Sequence, residues 1–408
     1  MPHLNESVLL TDQQRTIIEV VNYVFICGGL SLFGIVANAI NIAIFFRQGL
    51  RTTMNISFFG LAISDLCSLL TLLAFTVLLN PLVEHSQLPV NTRELQYLVA
   101  GWPHVCFTRT TCLITAFVTA ERCLCITYPL KVKRLITPRR ATLAVCLTYV
   151  ITILMLVPEY VTSYYDWKLH PETNVTLFGL AFTEDRARME GLVFILNASM
   201  GVFSFLLVLA FTAILVWNLK HTSRWRKQHH SDPRDSTYAR SKKAMSMVLV
   251  ISSVLIVCSI PSIACSIVAF FVQEFSVLGR YQNIFYSAWS FSFICGATNA
   301  SLNIFLYYRM SSKYRRSFRQ MFARFSRTFG WESSEETWNS TSVGLMGRRH
   351  RKTVGDYSTG GAAVTRYGWR EDYWRGDLPS YSVTNSFNNN SAEPVQDGAG
   401  SNPIERVY

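Results

Sequence analysis

Seven apolar runs, each long enough for a helix that crosses a bilayer, constrain this chain more than any other feature. They occupy residues 20–46, 55–80, 98–126, 140–161, 190–219, 244–272 and 283–308. A helix needs about 20 apolar residues to cross the hydrocarbon core, and longer runs allow for tilt. Only 16% of the residues are charged, whereas soluble proteins carry about 25%. The sequence therefore predicts an all-α membrane protein, a seven-transmembrane helix bundle, rather than a soluble protein with a large core.

Basic side chains are divided very unevenly between the two sides of this predicted bundle. Twenty-two Lys and Arg lie in the loops after the first, third and fifth runs and in residues 309–327, and six lie on the other side. The positive-inside rule then places the N-terminus outside and the C-terminus in the cytosol of a multi-pass plasma-membrane protein. The net charge of +12 follows from this topology and does not indicate a nucleic-acid partner.

Four regions follow from the same pattern: an extracellular N-terminus (1–19), the transmembrane domain (20–308), a juxtamembrane segment (309–327) and a polar tail (328–408). Within the juxtamembrane segment, apolar side chains share one helical face among Lys and Arg: Tyr314, Phe318, Met321 and Phe322. This pattern predicts a short amphipathic helix on the inner leaflet, and the alternative is a basic tail without a helix. The polar tail predicts a disordered cytoplasmic segment that offers Ser and Thr for phosphorylation.

Two predicted outer segments carry the Asn-x-Ser/Thr acceptor pattern for N-glycosylation. These acceptors are Asn5 and Asn174, so the chain is expected to be a glycoprotein. Ten Cys are present and most lie inside the apolar runs. They are interpreted as small core residues, because their spacing fits neither a disulfide framework nor a zinc site.

The third run carries charges at membrane depth, which require a reason because each costs about 2.5–3.5 kcal/mol to insert. Arg109 lies in mid-span, and Glu121-Arg122-Cys123 ends the run. Other polar motifs occur at fixed places in the other runs: Gly34 to Asn38, Leu61 to Asp65, Cys258 to Pro261, and Asn299 with Asn303 to Tyr307.

Five such motifs in this order resemble those of the rhodopsin-like G-protein-coupled receptors, over residues of about 20–325. The chain departs from that family's pattern at Ser259, where the sixth span usually has Trp, and at Ile304, where the seventh usually has Pro. The fourth span has no Trp and the fifth no Pro. The second outer loop (162–189) has no Cys, so the family's usual disulfide to the third span cannot form. Among subfamilies, the chain looks most like the chemosensory-type receptors of molluscs, and invertebrate neuropeptide receptors are the near alternative.

The resemblance implies an activation switch that couples to heterotrimeric G proteins. It comprises Glu121, Arg122, Pro261, Asn303 and Tyr307. In the family, the acid restrains the Arg until the sixth span moves out. Because the sixth span begins with Ser and Lys and no acid, the acid of the third span is expected to act alone, and appreciable basal signalling is expected. The alternative is an Arg that only reaches lipid phosphates.

A buried carboxylate, Asp65, requires partners or a proton. The resemblance implies a polar site made of Asn38, Asp65, Thr111, Asn299 and Asn303, with sodium as an allosteric ligand and no other cofactor. The alternative is a carboxylate that only joins helices through hydrogen bonds.

The expected ligand site is one face of the third span, formed by His104, Val105, Thr108 and Arg109. Family receptors for amines carry Asp where His104 stands, so a cationic amine is disfavoured. A guanidinium binds carboxylates and phosphates in bidentate fashion, which favours an acidic small molecule or a peptide C-terminus. The alternative is an internal ion pair of Arg109 with Glu159 or Glu190, or an Arg that donates hydrogen bonds to backbone carbonyls.

Other function classes fit less well. A transporter or channel would show repeats, broken paired helices or charged rings, and an enzyme would show a catalytic cluster; the sequence has neither. The expected partners are therefore an extracellular small molecule or peptide, the lipid bilayer, a heterotrimeric G protein, and kinases and arrestin at the tail.

Overall fold

The computed structural model of the chain describes residues 10–86, 88–170, 175–228, 236–277 and 279–328. Asn5, Asn174 and residues 329–408 lie outside these ranges, so the predicted glycosylation sites and nearly all of the predicted disordered tail are not described. We refer to the end of the bundle that the basic residues predict to be extracellular as the outer end, and to the opposite end as the inner end.

Seven long helices and one juxtamembrane helix make up the described bundle. Their bounds are α1 Asp12–Gln48, α2 Thr53–Leu78, α3 Thr92–Thr127, α4 Pro138–Thr162, α5 Arg186–Gln228, α6 Ser236–Phe271, α7 Gln282–Met310 and α8 Ser312–Thr328. Short π-helical segments interrupt α1 at Val20–Cys27 and α3 at Tyr97–Gly101, and α4 consists of Pro138–Leu154 and Val157–Thr162. Two further short helices, Pro81–Glu84 and Pro129–Leu135, lie in loops.

Helix ends depend on capping residues rather than on where the apolar runs stop. Thr11 caps α1 through a reciprocal pair of hydrogen bonds with Gln14, so this helix begins in the polar segment before residue 20. Thr52 and Thr137 accept hydrogen bonds from the first turns of α2 and α4. Such caps satisfy backbone N–H groups that have no partner within the helix. The helices therefore extend beyond the predicted apolar runs.

Six helices of the described chain are long and apolar enough to cross a membrane, and α7 is the more polar seventh. Its polar side chains are mostly buried against other helices rather than facing lipid: Ser287, Ser290, Ser292, Asn299, Ser301 and Asn303. Conversely, large apolar side chains such as Phe25, Leu32 and Phe46 of α1 are exposed, as expected where a helix faces lipid. The predicted seven-transmembrane bundle is confirmed.

The predicted juxtamembrane helix is also present. Tyr314 is buried at 1% exposure in the inner half of the core, and Phe318 and Met321 pack against that core. Phe322 is 44% exposed. The Tyr314 hydroxyl donates a hydrogen bond to Oδ1 of Asn41 in α1, at 2.6 Å. This helix is therefore attached to the bundle by one buried polar contact and a continuous apolar face.

A β-hairpin in the second outer loop was not predicted. Strands β1 (Ser163–His170) and β2 (Val175–Phe182) pair antiparallel, with Ser163 opposite Phe182 and His170 opposite Val175. The hairpin is bound to the segment before α3, because the Phe178 N–H donates to Pro89 O at 2.9 Å and its carbonyl accepts from the Asn91 N–H at 3.0 Å. Aromatic and β-branched residues concentrate in these strands, which favours a pleated, half-buried surface.

Candidate ligand cavity and activation site

Asp65 of α2 is 1% exposed and joins three helices. One carboxylate oxygen accepts a hydrogen bond from Thr111 of α3 at 2.8 Å, and the other accepts from Nδ2 of Asn303 in α7 at 2.7 Å. Both predicted contacts are present. The carboxylate keeps further lone pairs, since each oxygen can accept a second hydrogen bond.

The other two predicted partners of Asp65 occupy different positions. Asn38 donates to the carbonyls of Gly34 and Ala300, each at 2.9 Å, so it joins α1 to α7 instead. Its side-chain oxygen accepts from Asn41 at 3.1 Å. Asn299 lines the same cavity as Asp65. A sodium ion fits this donor set in charge and type, because hard cations prefer carboxylate and other oxygens.

Glu121 restrains Arg122 at the inner end of α3. Glu121 is 2% exposed, forms a salt bridge with Arg122 and accepts a hydrogen bond from Thr53 of α2. Among the described residues, Glu121 is the ion-pair partner of Arg122. Glu121 was expected to restrain Arg122 alone. The structure adds the hydroxyl of Thr53, which binds Glu121 and which sequence reasoning missed.

Arg122 lines a cavity of about 700 Å³ at the inner end, which lies between residues of α1, α2, α3, α6, α7 and α8. Lys243 and Met247 of α6 and Tyr307 of α7 line it as well. The Tyr307 ring is buried between Phe45 and Phe58, with ring centroids 5.1 Å from each. The cavity is large enough for a segment of a partner protein.

Pro261 lies inside α6 and is half-buried. Because Pro lacks a backbone N–H, it removes one helical hydrogen bond and permits bending at that point. Pro261 lies between the outer and inner halves of α6, so a bend at this residue would displace the inner end of the helix.

The four predicted ligand residues, His104, Val105, Thr108 and Arg109, all line one cavity of about 90 Å³. Asp65 also lines it, so the ligand face and the buried carboxylate share one space. The opposite walls come from α6 and α7: Cys258, Ser259, Ser262, Trp289, Ser292 and Phe293.

His104 is a structural part of this wall. Its Nδ1 lies 2.9 Å from the Ser68 carbonyl, so that nitrogen carries the proton and donates it. The imidazole stacks on Phe293, with centroids 5.0 Å apart and an angle of 18° between the rings. Together, the hydrogen bond and the ring stacking hold α2, α3 and α7 together at the outer end of the cavity.

Arg109 has no hydrogen-bond or ion-pair partner among the described residues, and its Nε atom is buried. The guanidinium lies against Gly201 of α5, where a Cβ atom would approach its Cζ to 2.6 Å. One proposed internal partner, Glu159, pairs with Arg186 instead at 2.6 Å, so that alternative is wrong. The side chain of Glu190, the other candidate, is not described.

The Glu159–Arg186 pair was not anticipated and lies at the outer end. Glu159 is fully buried in α4, and Arg186 begins α5. Burial opposes the charge of Arg186, but hydrogen bonds to Glu159 and to the Tyr97 hydroxyl leave its pKa above the usual value. Sequence reasoning missed it because neither residue belongs to a motif.

A family model described as "7 transmembrane receptor (rhodopsin family)" matches residues 38–307. The chain belongs to this family. It is therefore a multi-pass membrane receptor of the G-protein-coupled class, and the transporter and channel alternative is set aside.

Three relatives of this receptor are similar over most of their length. The rat galanin receptor type 2 is 25% identical over 296 residues, which are 72% of this chain and 73% of the relative. The human galanin receptor type 2 is 24% identical over 294 residues, covering 72% and 70%. The galanin-like G-protein coupled receptor npr-9 of Caenorhabditis elegans is 23% identical over 323 residues, covering 70% of each chain. The expected likeness to mollusc chemosensory receptors is not tested by these relatives.

Proposed function

We propose that this receptor binds an extracellular peptide and activates heterotrimeric G proteins at the plasma membrane. The observation that carries the proposal is Arg122, held by the buried Glu121 and facing an inner cavity of about 700 Å³. Release of that Arg would expose a cation to an incoming G-protein segment. A buried pair of this kind is costly to break by removing one partner, so it suits a two-state switch.

The relatives support a peptide as the ligand, because the rat and human relatives are named as galanin receptors and galanin is a peptide. The size of the cavity supports the same class. Sites that enclose a whole small-molecule ligand measure about 300–1,000 Å³, whereas the cavity beside Arg109 measures about 90 Å³. It admits one chemical group, and the rest of the ligand would lie above it, against the outer loops and the hairpin.

The proposal is tested in cells that express the receptor with a promiscuous G protein, using a peptide panel that includes galanin-like peptides. We expect a concentration-dependent response to a peptide, and its loss in Arg122→Ala at equal surface expression. Gly29→Ala, at a position of α1 with open space for a Cβ atom, serves as a control for general damage and should retain a response. Activation by non-peptide odorants alone would support the chemosensory alternative instead, and a response that survives in Arg122→Ala would contradict the switch.

We also propose that sodium binds at Asp65 as an allosteric ligand. A cation held there would favour the arrangement in which Asp65 faces Thr111 and Asn303. Increasing sodium at constant ionic strength should weaken agonist binding, and Asp65→Asn should remove that dependence. Equal sodium dependence in both receptors would contradict the proposal.

A further inference from the structure

The cavity beside Arg109 contains more unused hydrogen-bond donors than a structural cavity should. Nε of Arg109 and Nε1 of Trp289 are both buried, and neither has a hydrogen-bond partner in the described chain. Both residues line this cavity. Buried N–H groups are normally paired, since an unpaired one loses its hydrogen bonds to water without compensation.

The hydroxyl groups around the cavity do not accept from these two N–H groups, because neither N–H has a hydrogen-bond partner in the described chain. Thr108 donates to the His104 carbonyl at 2.8 Å, Ser259 to the Leu255 carbonyl at 2.7 Å, and Ser262 to the Ser259 carbonyl at 3.0 Å. Each of these protons is directed to the backbone of its own helix, and although a hydroxyl oxygen can still accept, none of them is a partner of the Arg109 Nε–H or the Trp289 Nε1–H. Asp65, the carboxylate in the wall, accepts from Thr111 and Asn303 and forms no salt bridge with Arg109.

The guanidinium is also positioned by backbone geometry. Gly201 of α5 leaves the space that Arg109 occupies, because a Cβ there would lie 2.6 Å from Nη2 and 2.8 Å from Nη1. An Arg side chain remains protonated in a protein. The fold thus holds a permanent cation at membrane depth with no acid paired to it among the described side chains, an arrangement that is expensive and typical of functional sites.

We infer that Arg109 and Trp289 receive a carboxylate group of the ligand. A carboxylate only accepts hydrogen bonds and matches the guanidinium fork. The available volume of about 90 Å³ equals roughly three water molecules, which suits a carboxylate and the carbon that bears it. This inference deepens the proposed peptide function, because a C-terminus and an Asp or Glu side chain both supply the group.

The test uses the purified receptor in lipid nanodiscs and measures its midpoint of thermal denaturation. The probes are N-acetylglycine, which imitates a C-terminus, N-acetylaspartic acid α-amide, which imitates an acidic side chain, and N-acetylglycinamide as the neutral control. At matched ionic strength and pH, at least one acid should raise the midpoint and the neutral amide should not. The acid with the larger effect identifies the source of the carboxylate.

Arg109→Met should weaken the acid's apparent affinity by about 10- to 100-fold, the usual effect of a lost charged hydrogen bond. Trp289→Phe should weaken it less. Because Arg109→Met also removes an unpaired buried charge, it should raise the midpoint of the unliganded receptor. Arg186→Met is the matched control, because Arg186 is paired with Glu159, and this variant should lower the midpoint of the unliganded receptor.

Equal stabilisation by acid and amide, or an acid effect that persists in Arg109→Met, would overturn the inference. So would a lower midpoint or failure to fold in Arg109→Met, since a purely structural Arg would behave in that way. The measurement needs neither an agonist nor a G protein. Its failure is therefore separate from a failure of the peptide-receptor proposal, which the cell assay detects.

Discussion

The strongest single prediction concerns the ion pair at the outer end, because it joins three transmembrane helices and the hairpin. Arg186 of α5 contacts Glu159 of α4 at 2.6 Å, the Ser163 hydroxyl of β1 at 3.2 Å and the Tyr97 hydroxyl of α3 at 3.0 Å. Rhodopsin-like receptors usually have a disulfide between the second outer loop and α3, and all ten Cys here are free. We therefore expect this polar cluster to provide much of the attachment.

Arg186→Met leaves the Glu159 carboxylate, which is 0% exposed, without its cation. Breaking a buried pair in this way costs about 3–5 kcal/mol in free energy of unfolding. Glu159→Gln should cost less, about 1–3 kcal/mol, because the Arg186 side chain is 12% exposed and keeps its hydroxyl partners. The loss of unfolding free energy in the double variant should be smaller than the sum of the two single losses by about 1–3 kcal/mol.

The assay is a double-mutant cycle on the purified receptor, unfolded by adding denaturing detergent to mild-detergent micelles. Tyr97→Phe is a third variant that removes a neutral hydrogen bond and should cost only about 1 kcal/mol. If Arg186→Met costs less than the Tyr97 variant, or if the two charge variants add without coupling, the reasoning from burial and geometry is refuted.

Further predictions concern packing, the inner end and redox sensitivity. Gly34→Ala should destabilise the receptor by about 1–3 kcal/mol, because its Cβ would lie 2.6 Å from Leu69 Cδ1. Gly29→Ala, which has open space around its Cβ, should not destabilise it. Thermal denaturation of the two variants makes the comparison. Tyr314→Phe should lower the free energy of unfolding by about 1–3 kcal/mol, because Asn41 Oδ1 loses the hydrogen bond of 2.6 Å; an unchanged midpoint of thermal denaturation would contradict this. Glu121→Gln should raise basal G-protein signalling at equal surface expression, because the Arg122 restraint is weakened; an unchanged basal level would count against the switch. Dithiothreitol should leave ligand binding intact, since the ten Cys form no disulfide.

Much of the architecture follows from the linear pattern of residues. Insertion of a helix into a bilayer depends mainly on the sum of side-chain transfer free energies over about 20 residues, a quantity that any segment carries alone. The seven helices, the juxtamembrane helix and the family's motifs could therefore be predicted. Family motifs also led to Asp65, Arg122 and the α3 ligand face, because those positions have fixed spacing along their helices.

The pairing of polar groups could not be predicted in the same way. Thr53 beside Glu121, Gly201 beneath Arg109, and Glu159 with Arg186 are contacts between residues that are far apart in the chain. Which donor meets which acceptor depends on helix rotation and on which side chains fit between neighbouring helices, and these follow from packing of the whole bundle. Thus local hydrophobicity was sufficient to determine how often the chain crosses the membrane. The three-dimensional arrangement decided that Glu159 is paired and Arg109 is not, because an ion pair requires two side chains to meet and spacing along one helix contains no such information.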